Sequence, residues 1–247
     1  MNAPKAALVT GAGRRRVGNL VAKALAAAGY GVGVHYHRSE AEANETVAEL
    51  RAAGAAAEAF TADVTDEGDV RRLFAEFDAA FGRLDLLVHT AAVWTPTPFE
   101  TLTAEEIRRQ FDVNTLGSVL CAKGAVLRMA GQPEGGAVIL VGDAALRRPY
   151  TGYAAYFASK GALPAVTECL AVEAARLNPK IRVNCIHPGP VLVAPDLPEE
   201  ARKRAYEGNL LAAKGTPRAI AAAVVFLAEV DYVTGVNLPV DGGRRLA

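Results

Sequence analysis

The sequence predicts an α/β protein: a doubly wound parallel sheet with helices on both faces, in a single domain over residues 1–247. Three observations predict it. Short apolar runs alternate with longer amphipathic stretches along the chain, the rhythm of strand–helix units. Leu84–Thr90 is a near-continuous apolar run, as a parallel strand covered on both faces requires. Thr10-Gly11-Ala12-Gly13 follows directly on the first apolar run, and glycines there let the backbone turn sharply into a helix.

Each element has a local reason. Ala6–Thr10 reads as a buried strand and Val17–Ala28 as an Ala-rich helix ending near Gly29. Gly31–Tyr36 is the second strand and Ser39–Ala53 the second helix. Ser39 is its expected N-cap, with Glu40 and Glu42 in the first turn, where the helix dipole favours anions. Ala55–Thr61 is the third strand, Asp66–Phe81 the third helix and Leu84–Thr90 the fourth strand. Thr103 caps one long helix running to about Met129, and Ala137–Val141 is the fifth strand. Gly152–Leu177 reads as another long helix, in which Pro164 predicts a bend or the first turn of a new helix. Ile181–Ile186, a short helix Glu199–Leu211, the helix Pro217–Glu229 with proline in its first turn, and the strand Val233–Pro239 complete the series. Pro188–Pro198 is proline-rich and irregular, and a substrate-covering loop is expected at about 189–212.

Composition narrows the function classes. Apolar residues make up 51%, enough for a sizeable core. Lys and Arg number 27 against 27 Asp and Glu, so no single-sign field recruits nucleic acid or an anionic membrane. Cys121, Cys169 and Cys185 are far apart in apolar segments, and are expected to be buried thiols in a reducing compartment. No Cys-x-x-Cys spacing occurs and no metal is expected. No cleavable leader and no apolar run of about 20 residues is present, which reads as cytoplasmic.

The first turn predicts a nucleotide site. Gly11, Arg14, Arg15, Arg16, Val17 and Gly18 join the first strand to a helix start, where unpaired N–H groups receive a pyrophosphate. The second strand then chooses the cofactor. An acidic residue there would hold the ribose hydroxyls of an unphosphorylated dinucleotide, but this chain places His37-Arg38-Ser39. A guanidinium binds a ribose phosphate in a charge-assisted fork, so NADPH is expected over NADH. Asp63 and Val64, after the third strand, sit where an adenine amino group is bound; Asp63 alternatively starts the next helix.

Tyr156 and Lys160 are four apart and so share one helix face. A lysine ammonium beside a phenol lowers its pKa and makes it a proton donor or acceptor near neutral pH. With the glycine turn, this pair points to a nicotinamide-dependent reductase.

The glycine turn, Asp63, Asn114, Tyr156-x-x-x-Lys160, Pro188-Gly189 and Asp241-Gly242-Gly243 stand in one order and spacing, and on them the chain resembles the short-chain dehydrogenase/reductase family over its whole length. It is most similar there to the pteridine reductases. That likeness rests on His35-Tyr36-His37-Arg38-Ser39-Glu40-Ala41-Glu42-Ala43-Asn44, on Thr95-Pro96-Thr97-Pro98, on Gly152-Tyr153, and above all on Asp143, which stands where the family has a catalytic serine. The resemblance implies that Lys160 holds the nicotinamide ribose and that Asn114 supports a water relay to it. It implies cofactor contacts from Thr90, Ala91, Pro188 and Gly189, a pterin-stacking role for Trp94, and a homotetramer paired through the two long helices. The chain departs from the pattern in two places: the glycine turn lacks its second glycine and carries one extra residue, and His89-Thr90-Ala91-Ala92 replaces the usual Asn-Asn-Ala-Gly.

Asp143 selects an acceptor by its chemistry. The serine donates a hydrogen bond to a substrate carbonyl, whereas an ionised aspartate only accepts one. It repels charge growing on a carbonyl oxygen and suits a ring N–H. The alternative is that Asp143 points elsewhere and Ala144 or a water serves the site. Trp94 offers a flat face for a planar ring, or else packs in the core; Tyr153, one turn before Tyr156, is placed to line the same pocket. The C-terminal Arg244-Arg245-Leu246-Ala247 is expected near a neighbouring subunit's pocket.

The leading expectation is therefore an NADPH-dependent reduction of a C=N bond in a dihydropterin or dihydrofolate, with Tyr156 as proton donor. One alternative is reduction of a carbonyl, such as a 3-oxoacyl thioester or sugar ketone. Another is a non-catalytic NADPH-binding sensor.

Overall fold

Seven strands form one parallel sheet in the order β3-β2-β1-β4-β5-β6-β7. The structure is a computed structural model that describes residues 4–191, 199–200, 208–211 and 215–247. The strands are β1 (Ala6–Thr10), β2 (Gly31–Tyr36), β3 (Ala57–Thr61), β4 (Leu86–His89), β5 (Gly136–Val141), β6 (Ile181–Pro188) and β7 (Asn237–Val240). The helices among the described residues are α1 (Val17–Ala27), α2 (Glu40–Ala52), α3 (Glu67–Phe81), α4 (Ala104–Phe111), α5 (Gly117–Ala130), α6 (Ala154–Gly161), α7 (Leu163–Leu177) and α8 (Pro217–Glu229). Residues 201–207 of the expected helix Glu199–Leu211 and most of the expected loop 189–212 lie outside the described residues; Gly208–Leu211 is not helical.

Strand side chains alternate between two cores, as period two requires. Ala6 and Leu8 of β1 pack with α3, α5 and α7, through Leu73, Phe77, Ala122 and Ala174. Ala7 and Val9 pack with α1, α2 and α8, through Leu25, Leu50 and Val224. This is the doubly wound architecture the apolar runs predict. Strand order reverses between β1 and β4, and their diverging carboxyl ends open a crevice there.

Several boundaries move for physical reasons. β3 begins at Ala57 because the Ala55 N–H closes α2 on the Leu50 carbonyl (3.1 Å). β7 begins at Asn237 because the Asn184 carboxamide and Thr234 hydroxyl take the preceding ladder positions. The long helix Thr103–Met129 is interrupted by a π turn at Asp112–Leu116. Gly152–Leu177 is two helices, and Pro164 sits in the first turn of α7, where its missing N–H costs nothing. Ser39 stands at the N-cap of α2 without a side-chain cap bond. Cys169 is exposed, against expectation; Cys121 and Cys185 are buried.

Candidate active site

One cleft of about 1670 Å³ runs along the carboxyl ends of the strands. Its nucleotide end is built on close backbone approach. Gly11 has φ +66°, and a Cβ there would stand 2.8 Å from Ala91 Cα. A Cβ on Gly18 would meet Thr90 Oγ1. Only glycine lets the β1–α1 turn lie this close to the segment after β4. Two buried side chains hold the turn. The Gly11 N–H donates to His35 Nδ1 (3.1 Å), and His35 Nε2 donates to the Ala62 carbonyl (3.1 Å). Burial lowers the His35 pKa to about 4, so the ring stays neutral. Thr10 Oγ1 accepts from the Thr90 and Ala91 N–H groups and bonds His89 Nδ1 (3.0 Å).

Arg14, Arg15, Arg16, Val17, Gly18, His37, Arg38, Ser39, Asp63, Val64, Thr90 and Ala91 all line this end, together as expected. Arg15 is turned toward α2, with Nη2 3.4 Å from Glu49 and 3.9 Å from Glu45. Arg14, Arg16 and Arg38 remain in the wall. No side chain caps the start of α1. A glycine cradle, an uncapped helix start and guanidiniums on both sides suit the phosphates of a dinucleotide. Asp63 is not the start of α3: Asp66 caps that helix by accepting the Asp69 N–H (2.7 Å). Asp63 instead accepts from Thr65 N–H (2.9 Å) and its hydroxyl (2.8 Å). Burial raises its pKa, but the two Thr65 bonds and nearby His37 outweigh that, so the net direction is down.

The reacting end centres on Tyr156, in the first turn of α6. Its hydroxyl donates to Asp143 Oδ2 at 2.7 Å. Asp143 stands at the end of β5 and caps the 3₁₀ turn Ala144–Arg147, its Oδ1 accepting the Ala145 N–H (2.7 Å). Asp143 therefore points at the tyrosine, and the alternative that it points elsewhere falls. Lys160, one turn along, is buried and donates to the Val141 carbonyl (2.7 Å). Burial lowers its pKa to about 8, against the opposing charges of Cys185 and Asp143.

This corrects the expected effect of lysine on tyrosine. The Tyr156 pKa is raised, not lowered: first by burial, then by the Asp143 charge and the bond to it. The lysine is spent on a backbone carbonyl, while the phenolic proton is held by a carboxylate.

Asn114 also departs from expectation. It is fully buried in the π turn and does not line the cleft. Its Oδ1 accepts the Val93 N–H (2.9 Å), and its Nδ2 donates to the Val93 carbonyl (3.0 Å) and Ser159 Oγ (3.0 Å). It braces the chain just before Trp94.

The aromatic wall is rearranged too. Trp94 is 47% exposed, which excludes core packing. One face stacks on Tyr153 (4.9 Å, 18°), and its Nε1 donates to the Tyr150 hydroxyl (3.2 Å). Tyr150 lines the cleft, where Tyr153 was expected; Gly152, at φ +82°, reverses the chain between them. Pro188 and Gly189 line the cleft, and a Cβ on Gly189 would stand 2.8 Å from Asp241 Cα. Arg244 lines the cleft of its own chain. Sequence reading missed Tyr150, Arg244 and the structural role of His35. Only Tyr150 left a signal, an exposed-type aromatic three residues before Tyr153.

A family model described as Enoyl-(Acyl carrier protein) reductase matches residues 11–245. This chain belongs to the short-chain dehydrogenase/reductase family. Among relatives in that family, the chain is 34% identical over 235 residues to a 3-oxoacyl-[acyl-carrier-protein] reductase of Rattus norvegicus, covering 95% of each. Two solved structures are similar: a dehydrogenase/reductase from Sinorhizobium meliloti 1021 (TM-score 0.89, 32% identity, 98% and 96% covered) and an acetoin dehydrogenase from Enterobacter cloacae (TM-score 0.85, 32% identity, 98% and 96% covered). Short-chain dehydrogenase/reductases use a nicotinamide cofactor, and the glycine cradle fits one. None of these three names a pteridine, so the resemblance to the pteridine branch gains no support from them. No described helix is long and apolar enough to cross a membrane.

Proposed function

We propose that this oxidoreductase reduces a carbonyl to an alcohol with NADPH. One observation carries the reading: a buried phenol, Tyr156, stands protonated at the cleft wall of a chain similar to a reductase named for an oxoacyl substrate. Arg14, Arg16 and Arg38 would hold the ribose phosphate, and the Gly11–Gly18 turn the pyrophosphate. A bound reduced nicotinamide supplies the hydride. Tyr156 donates the proton to the carbonyl oxygen. A phenolate beside the Asp143 carboxylate is disfavoured, so Tyr156 regains its proton readily from solvent. Lys160, on the Val141 carbonyl, keeps a positive charge beneath the site.

A second reading, reduction of a C=N bond in a pteridine, is favoured by Asp143 itself. A carboxylate in this position accepts a ring N–H and opposes charge on a carbonyl oxygen. Purified protein with NADPH and, separately, an acetoacetyl thioester, acetoin and dihydrobiopterin tests both, by loss of nicotinamide absorbance. Consumption of dihydrobiopterin alone would overturn the carbonyl reading. Replacing NADPH by NADH tests the cofactor. Exposed Leu116, Leu127, Val172 and Leu177 on the π turn, α5 and α7 support pairing of subunits through these helices, which sedimentation checks.

A further inference from the structure

Tyr150 and Trp94 form a pair in the cleft wall, joined by the indole Nε1–H, which donates to the Tyr150 hydroxyl (3.2 Å). An indole N–H can only donate, so the Tyr150 oxygen accepts and keeps its own hydrogen for another partner. Among the described residues, none receives that hydrogen. Burial pushes the phenol up to about 12, against the opposing bond from Trp94, so it stays protonated at neutral pH.

Ring contacts fix the pair beside the proton donor. Trp94 stacks on Tyr153 (4.9 Å, 18°). Tyr150 meets Tyr153 (4.9 Å, 76°) and Phe157 (4.9 Å, 81°) edge to face. Tyr156 packs on the same two rings, Tyr153 at 6.3 Å and Phe157 at 5.4 Å. Tyr150 and Tyr156 thus share both aromatic neighbours, and both line the cleft. Three nearby donors are turned elsewhere: Tyr156 to Asp143 Oδ2 (2.7 Å), Lys160 to the Val141 carbonyl (2.7 Å), and Arg109 to both Glu106 oxygens (2.8 Å each) and Thr95. A carboxylate at Asp143 has no hydrogen to give. A carbonyl oxygen reduced here gains negative charge near that carboxylate, and a donor besides Tyr156 is needed to offset it.

We propose that the Tyr150 hydroxyl is this second donor and binds the substrate carbonyl oxygen. The inference deepens the carbonyl reading above and rests on it. As hydride reaches the carbonyl carbon, the C=O π pair moves onto oxygen, and that oxygen takes the Tyr156 proton. Tyr150 keeps its own proton throughout. Its hydrogen bond strengthens as the oxygen gains charge, so it favours the transition state over the bound ketone. The Trp94 N–H restricts the directions open to the Tyr150 O–H.

Tyr150→Phe tests this, because it keeps the ring contacts and deletes the hydroxyl. Acetoin and an acetoacetyl thioester are the probes, with NADPH in excess and loss of nicotinamide absorbance as the readout. The values of kcat and kcat/KM are expected to fall together by at least about tenfold, the worth of a hydrogen bond to a charged oxygen, with KM little changed. In a Trp94→Phe background the same substitution is expected to cost a similar factor. A loss that vanishes in that background shows that the hydroxyl acts only by holding Trp94, and overturns the proposal. A rise in substrate KM with kcat unchanged places the hydroxyl on another part of the substrate and also overturns it. Unchanged kcat/KM in Tyr150→Phe overturns it and leaves the carbonyl reading standing. A parent that reduces dihydrobiopterin and neither carbonyl compound sinks the carbonyl reading, and this role with it.

Discussion

The Tyr156 hydroxyl gives its hydrogen to Asp143 Oδ2 across 2.7 Å, joining the first turn of α6 to the end of β5. Burial first, then the Asp143 charge and this bond, keep the phenol protonated; the nearby lysine does not. Tyr156→Phe removes the hydroxyl and keeps the ring. Turnover is expected to fall at least about 100-fold, the ordinary worth of a positioned proton donor. NADPH binding, followed by nicotinamide fluorescence, is expected to persist. Retained turnover would refute the role of Tyr156.

Asp143→Ser removes the negative charge that holds the phenolic proton. Burial remains, but the Asp143 contributions to the raised Tyr156 pKa are lost. The alkaline limb of the kcat/KM profile is expected at lower pH than in the parent. A limb that stays in place would show that Asp143 does not control this proton.

Lys160 links stability to pH. Its folded pKa, about 8, lies below the ordinary lysine value of 10.5. The unfolded chain therefore binds more protons between those values, and stability rises with pH across that window. Below pH 8 burial of the charge costs the fold about 3 kcal/mol, from one pKa unit being about 1.36 kcal/mol. The difference in unfolding free energy between the parent and Lys160→Met, measured by urea denaturation, should change in favour of the parent from pH 8 to 10.5. A flat difference would mean the lysine is not desolvated.

Arg38→Ala tests the cofactor reading. KM for NADPH is expected to rise at least about tenfold, as loss of a charged hydrogen-bond partner implies, with KM for NADH unchanged. Equal effects on both would place Arg38 away from the ribose phosphate.

Asn114→Ala deletes the side chain that bonds both backbone groups of Val93. Stranded buried groups cost about 1–3 kcal/mol each, so thermal unfolding should occur several degrees lower. The Trp94 emission spectrum is expected to shift as well, because Val93 precedes it. An unchanged melting temperature would show that water replaces the carboxamide at no cost.

Local pattern carried much of the architecture. The apolar runs at Ala6–Thr10 and Gly31–Tyr36 coincide with β1 and β2, because such runs can be satisfied only by burial on both faces. Pro164 marked a helix start, since its missing N–H is harmless only there. The π turn at Asp112–Leu116 was not legible, because its visible partner, Val93, lies 21 residues from Asn114. Nor was the exchange of Tyr150 for Tyr153 at the cleft, which depends on how Gly152 turns the chain and how Thr97 binds the Gly152 carbonyl (2.7 Å).

Sequence by itself determined the sheet-and-helix alternation, the glycine approach to a dinucleotide and the placing of Tyr156 and Lys160 on one helix face. These follow from interactions within a few residues, where spacing alone dictates geometry. Only the tertiary structure decided that the lysine turns to Val141, that the tyrosine donates its hydrogen bond to Asp143, and that Arg244 enters the cleft from the chain's far end. Those choices depend on burial and on partners brought together by the sheet, and no local spacing encodes which buried group an ammonium or a phenol will meet.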